Sequence, residues 1–366
     1  MKITNAKSGR RGVWVLDNDS LALTVMQGGG HIAGLRAAAG HRVNPFWAPA
    51  WKTIEPWQYR PADAARYGSK LLASISGHNL CLGAFGDPSP EEARAGLGCH
   101  GEAPVVRWKA LERRVSGRRL TFVCGCDMPI AQMRLVRRFS MEKGSHVIRV
   151  QSRLTNMARR DVPFTMCEHV TFGPPFLERD VTVFDMPATL GHTFPGAFSD
   201  AQRLKSDAAF RWPDGPGQRG KLDLRVIGRM PRRSSDFSTQ LMNPALDHAW
   251  FSALNPRLRL AVVYVWRRSD FPWLGNWEES YGRPTAPWNG VSLTRGMEFA
   301  NTPFPVGLRR AVDMGSFHQR PTFRWLPALS TLETEFSILA FETPARCKGV
   351  ACVTPEGGKF RVDLMA

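Results

Sequence analysis

Residues 146–156, HVIRVQSRLTN, alternate strictly: Ile148, Val150, Ser152 and Leu154 fall on one side, Arg149, Gln151 and Arg153 on the other. Period two with polar partners predicts a strand in a sheet that has one wetter face. The same signal recurs in GVWVLD and LALTVM between residues 12 and 26, and the glycines of QGGGHIAGLR (27–36) allow a tight bend before another strand. From residue 104 onward it is sustained through VVRWKALERRV, RRLTFVCGC, IAQMRLVRRFSM and VPFTMCEHVTFG, the last ending in a Gly-Pro-Pro turn. Further strands are predicted at 181–184, 222–228, 249–254, 258–266, 291–300 and within 323–342. Residues 88–95, PSPEEARA, suit a short helix, with Pro and Glu in a first turn. Residues 43–98 are otherwise irregular, and a loop region of that length usually lines a site or covers a sheet. No low-complexity linker, short repeat or compositional break divides the chain. The expectation is an all-β protein, one large antiparallel β-sandwich over residues 1–366 with few short helices and a loop-rich segment at 43–98.

Composition agrees: 33 Gly and 27 Pro suit strands and turns, and 43% apolar with 22% charged residues is a globular balance. The start, MKITNAKSGRRGVWVLD, lacks the apolar core of a signal peptide, and no run reaches the ~18 apolar residues of a membrane span. The seven cysteines include no CxxC pair; Cys124 and Cys126 share one strand face. Buried free thiols and a reducing cytoplasm are expected. The net charge of +17 peaks between residues 101 and 160, yet the arginines there stand singly or in pairs along strand-like alternation. That pattern speaks for a solvated basic face or an anionic ligand and against nucleic acid.

The nine histidines form no HxH or HExxH, and a Walker loop, a GxSxG elbow and a strand–GxGxxG–helix context are all missing. No metal or cofactor is expected. Three titratable residues stand out instead. His100 lies between glycines in LGCHGEAPVVRW, where backbone can approach a ligand closely. His169 lies near the end of VPFTMCEHVTFG, and alternation turns it away from Glu168. Glu298, in TRGMEFANTPFP, faces away from Met297 and Phe299, and in apolar surroundings its pKa would rise into the range of a useful general base. The stretch FPWLGNWEES puts Phe271, Trp273 and Trp277 beside Asn276, Glu278 and Glu279; like Trp47, Trp51, Trp57 and Trp288, its indoles are read as lying in loops. Indoles next to amides and carboxylates suit a sugar ring, with its apolar C–H face and rim of hydroxyls.

In order, LGCHGEAPVVRW, SRLTNMARRDVPFTMCEHVTFG, FPWLGNWEES and TRGMEFANTPFP resemble the aldose 1-epimerase (galactose mutarotase-like) superfamily over residues 12–342. The resemblance implies a large antiparallel β-sandwich and interconversion of the α and β anomers of free or phosphorylated sugars. It matches His100-Gly101 followed by Trp108 to the family's substrate-contacting histidine. It matches Asn156, Pro163, His169 and Phe172 to the setting of its general-acid histidine. Glu298 takes the place of the general base, although Phe299-Ala300 follows it and the family's Pro appears only at Pro303. Asp185, in VFDMPATL, stands for the acidic residue of the middle region, and Asn276 and Trp277 for a sugar-contacting segment, to which the aromatic cluster adds Trp273 and Glu279 as candidate substrate contacts. The implied partner is a carbohydrate, anionic if the arginine surplus serves it. The alternatives are a carbohydrate-binding module without catalysis, and a lyase or isomerase using Tyr59, Tyr67 or Tyr281 as a further base.

Overall fold

The computed structural model describes residues 1–37 and 42–366; His41 lies outside the described residues. Two eight-stranded antiparallel sheets form the sandwich, and a four-stranded meander of residues 2–37 packs beside them. The front sheet runs, in spatial order, through Ala209–Phe210, Ala188–Thr193, Ser234–Met242, Trp273–Ser280, Leu293–Ala300, Val162–Phe172 and Arg324–Leu326, with Asn79–Gly83 also paired to Val162–Phe172. The back sheet runs through Val183–Asp185, His248–Asn255, Leu260–Arg267, Thr331–Glu342, Val147–Asn156, Met133–Glu142, Arg119–Met128 and Lys109–Ser116. A hairpin of Gly349–Glu356 and Lys359–Met365 lies against the outer face of the back sheet. Helices are short, the longest being Gly307–Met314. Pro90–Arg94 is helical as expected, capped by Ser89, whose Oγ accepts the amide of Glu92. Among the described residues, no helix is long and apolar enough to cross a membrane.

Alternation explains how the sheets meet. Leu135, Phe139, Ile148, Val150, Phe251, Tyr264, Trp266, Phe336 and Ile338 of the back sheet share one buried cluster with Met166, Val170, Phe172, Leu274, Met297 and Phe299 of the front sheet. Trp266 stacks on Phe299 with ring centroids 4.4 Å apart. Trp14, Leu16, Leu23 and Val25 of the meander join the same cluster. One charge also faces inward. Glu168 is fully buried, with Oε2 2.8 Å from His78 Nε2 and Oε1 against Arg137 Nη2, and Arg137 Nε donates to Ser152 Oγ at 3.0 Å. Burial raises the Glu168 pKa, but the Arg137 charge and the His78 hydrogen bond outweigh it and hold the carboxyl below its usual range.

Two expectations need correction, and one strand was not anticipated. The stretch 273–280 is a central strand, not a loop, and Trp273 and Trp277 project from it. The strand Ser234–Met242, beside it, does not stand out in the sequence. The strand read at 222–228 is only the end of a small hairpin, Asp214–Gly217 with Gly220–Asp223.

Candidate active site

On the outer face of the front sheet one register row crosses the strands: His192, Thr239, Gly275, Glu298, His169 and Asn79 stand opposite one another in turn. Directly paired residues project to the same side of a sheet. Pairing across two antiparallel strands therefore brings His169 Nε2 to 3.1 Å from Glu298 Oε1. His169 Nδ1 lies 3.0 Å from Thr171 Oγ1, two residues along the same face. The residue opposite Glu298 on the other side is Gly275, and Gly296 precedes it on the same face; a Cβ at Gly296 would run into the Glu298 carboxylate and Trp277.

His100 reaches the pair from a loop. Its backbone is left-handed (φ 66°), its amide donates to Gly86 O at 2.9 Å, and its carbonyl accepts from Leu82 N at 3.2 Å. Its Nδ1 accepts the Gly86 amide at 3.1 Å, so the ring is held as the tautomer with its proton on Nε2. The ring stacks on Phe85 and sits 5.5 Å, centroid to centroid, from that of His169. Trp277 stands on the other side, 5.7 Å from His169.

The pair is dry. His169 is 5% exposed and Glu298 1%. Burial pushes the Glu298 carboxyl up to about 8 and holds the His169 imidazole well below its ordinary range. At neutral pH the proton rests on Glu298 and His169 is neutral, and neither Glu298 oxygen has a hydrogen-bond partner despite the close approach. Several buried polar atoms on this face have no protein partner: Trp273 Nε1, Trp277 Nε1 and Thr239 Oγ1.

The long loop covers the face. Trp47 stacks on Trp288 at 5.4 Å, Trp51 meets both edge-on, and Trp277 meets Trp288 edge-on at 5.8 Å. The Arg283 guanidinium lies 5.3 Å from the Trp277 ring and 5.1 Å from that of Trp288, with Nε 3.3 Å from Glu279 Oε2. Glu279 also accepts the amides of Gly282 and Arg283 at 2.6 and 2.9 Å. Arg283 is near enough to Glu298 to oppose the rise of its pKa. A cavity of about 540 Å³ lies away from this site, under the C-terminal hairpin on the back sheet.

The structure thus brings His100, His169, Glu298, Trp277 and Glu279 to one place. Trp273 shares the face but is covered by Phe317 and His318, at 5.7 and 6.4 Å. Asn276 is a correction: alternation turns it to the inner face of the sheet, away from Glu298. Asp185 is another. It lies at the edge of the back sheet, where Oδ1 accepts from Arg225 Nε at 2.9 Å and Oδ2 from the Val350 amide at 3.0 Å, so it ties the C-terminal hairpin down. Tyr67 donates its hydroxyl to Lys52 O, and Tyr281 packs beneath Arg179. Arg283, Phe85 and Thr239 were missed. The GDP turn after Phe85 and a lone Arg after YG carry no local signal; only the register row picks out Thr239.

No family model matches the sequence, and no curated protein does. Solved structures match over most of the chain. A candidate aldose 1-epimerase from Klebsiella pneumoniae superposes with a TM-score of 0.65 at 12% identity, covering 93% of this chain and 83% of that one. The fold is the galactose mutarotase-like β-sandwich. A galactose mutarotase-like protein from Clostridium acetobutylicum gives a TM-score of 0.63 at 10% identity, covering 93% of this chain and 99% of its own. A candidate aldose 1-epimerase from Escherichia coli gives 0.57 at 14%, covering 90% and 99%. At such identities the mutarotase-like likeness concerns the fold.

Proposed function

We propose that the protein is an aldose 1-epimerase-like enzyme that interconverts the α and β anomers of a sugar by acid–base ring opening. The observation that carries this reading is the His169–Glu298 pair, 3.1 Å apart on the concealed outer face of the front sheet beside Trp277. A cyclic hemiacetal opens when a base takes the C1 hydroxyl proton while an acid protonates the ring oxygen. These two oxygens share one carbon, so two adjacent groups that hold one proton between them suffice. Passage of that proton from Glu298 to His169 gives the working pair. Glu298 then takes the hydroxyl proton as His169 protonates the ring oxygen. The C1–C2 bond turns, and closure runs the transfers in reverse. His100, with Nε2–H free of the Gly86 contact, donates to the ring oxygen or a neighbouring hydroxyl. Trp277 offers its face to the C–H side of the ring.

Arg283, beside Glu279 and Trp277, supports a substrate with an anionic substituent, a phosphate or a carboxylate. The seven free cysteines support a reducing, cytoplasmic setting. The test is Glu298→Gln, which keeps volume and neutrality. Anomer exchange, followed by NMR saturation transfer on neutral sugars, sugar phosphates and uronates, should fall at least ~10²-fold with the fold intact. Exchange at the wild-type rate would remove Glu298 from the chemistry and leave a binding module.

A further inference from the structure

At the far end of the same register row, three strand spacings or about 14 Å from Glu298, stands a second cluster that the proton chemistry does not use. His192 Nε2 lies 2.9 Å from Asp207 Oδ1. A carboxylate accepts only, so Nε2 carries the ring proton and Nδ1 presents a lone pair. That lone pair faces His318, whose Nε2 is 3.4 Å away. His318 reaches over from the turn of a small hairpin, Ser316–Phe317 with Arg320–Pro321, and its ring packs on Phe317 and near Trp273.

At 3.4 Å the two nitrogens make at most a weak hydrogen bond, at the long limit for one. The separation is the edge of a zinc tetrahedron: two nitrogens each about 2.0–2.1 Å from the metal, at the tetrahedral angle, lie about 3.3–3.4 Å apart. Asp207 adds what ligating histidines regularly have, a carboxylate on the other ring nitrogen that fixes the tautomer and raises the basicity of the ligand. We propose that His192 and His318 form a divalent transition-metal site, with zinc the ion their spacing fits, that pins the hairpin onto the edge of the front sheet over Trp273. Among the described residues no third histidine, cysteine or carboxylate completes a ligand group, so water fills the other positions. The site is separate from the proposed reaction and stands or falls without it.

The experiment is a titration of the tag-free full-length protein with zinc chloride by calorimetry, with the imidazole nitrogens followed by NMR. One saturable ion is expected per chain, with Nδ1 of His192 and Nε2 of His318 shifting together. His318→Ala, in an exposed turn, should weaken binding at least tenfold, and Asp207→Asn by about 10- to 100-fold through loss of the carboxylate partner. An absence of saturable binding, or wild-type affinity in His318→Ala, overturns the proposal.

Discussion

Adjacent residues 168 and 169 show how far side-chain direction decides role. Glu168 turns inward and is ionised because Arg137 and His78 surround it. Glu298, turned outward beneath the indoles, has no such cation in contact and holds its proton up to about 8. Two buried carboxyls therefore titrate in opposite directions. Replacing Glu168 by Gln would leave Arg137 uncompensated in the core, and a loss of about 3–5 kcal/mol is expected by chemical denaturation. For Glu298 the sign is reversed. The unfolded carboxyl titrates near 4.5 and the folded one near 8, so between these values the native state binds the additional proton. Stability falls as pH rises through that window, by at most about 5 kcal/mol. Glu298→Gln should remove this slope, measured as unfolding free energy at pH 5 against pH 8.5. An identical slope in both proteins would show that Glu298 is not the titrating group. The facing of Glu168, His169 and Glu298 was legible from alternation alone. Arg137 was not, because nothing local marks which of many arginines crosses to the opposite sheet.

Among the elements, strands with one wet face and strands that read as apolar runs, such as Leu260–Arg267 and Leu293–Ala300, were readable, and two strands with buried polar faces were not. Val147–Asn156 shows its alternation because Arg149, Gln151 and Arg153 meet solvent or surface partners. Trp273–Ser280 is buried at every position, and its inner face is polar apart from Leu274. There Glu278 meets Arg203 at 2.8 Å and Ser234 at 2.7 Å. A strand whose apolar side faces outward under a loop, and whose polar side faces a buried ion network, inverts the pattern on which the reading depends. The same holds for Ser234–Met242, where Asp236 pairs with Arg203 at 2.6 Å. The glycines within these strands carry a consequence. Gly296→Ala would set a methyl against the Glu298 carboxylate and Trp277. We expect a loss of about 1–3 kcal/mol from overpacking, together with loss of anomer exchange as the carboxyl is pushed from His169. Gly98→Ala, with open space around its Cβ position, should change neither. Exchange that survives Gly296→Ala at full rate would mean that the carboxyl's position is not what the reaction needs.

For the molecule as a whole, the long irregular segment at 43–98 is the cover over the front sheet, and its length is what lets Trp47 and Trp51 reach Trp288 across the face. Trp47 is anchored: its amide donates to Thr171 O at 2.9 Å and its carbonyl accepts from Gly77 N at 2.8 Å. The connection between Ser280 and Leu293 is held differently. Its start is tied to the sheet, where Glu279 accepts the amides of Gly282 and Arg283, but beyond that its hydrogen bonds at Asn289 and Gly290 close on Thr285 and Arg283 of the same segment, and residues 284–286 are exposed. With the His169–Glu298 pair nearly sealed, a sugar reaches it only if one part of the cover moves, and local opening follows an exposed stretch whose hydrogen bonds close mainly on itself. That segment carries Arg283 and Trp288, so its opening uncovers Trp277 and frees a guanidinium at the entrance in one motion. Saturating substrate should therefore slow amide exchange across 281–292 and change tryptophan emission, while the Trp47 backbone exchanges at an unchanged rate. Trp288→Ala removes the stack with Trp47 and half of the seat of Arg283 but no proton-transfer group. It should raise KM by about tenfold and leave kcat within a small factor, the signature of lost binding that is common to ground and transition states. A fall in kcat with KM unchanged would place Trp288 in the chemistry and move the point of opening to the Trp47 side of the cover.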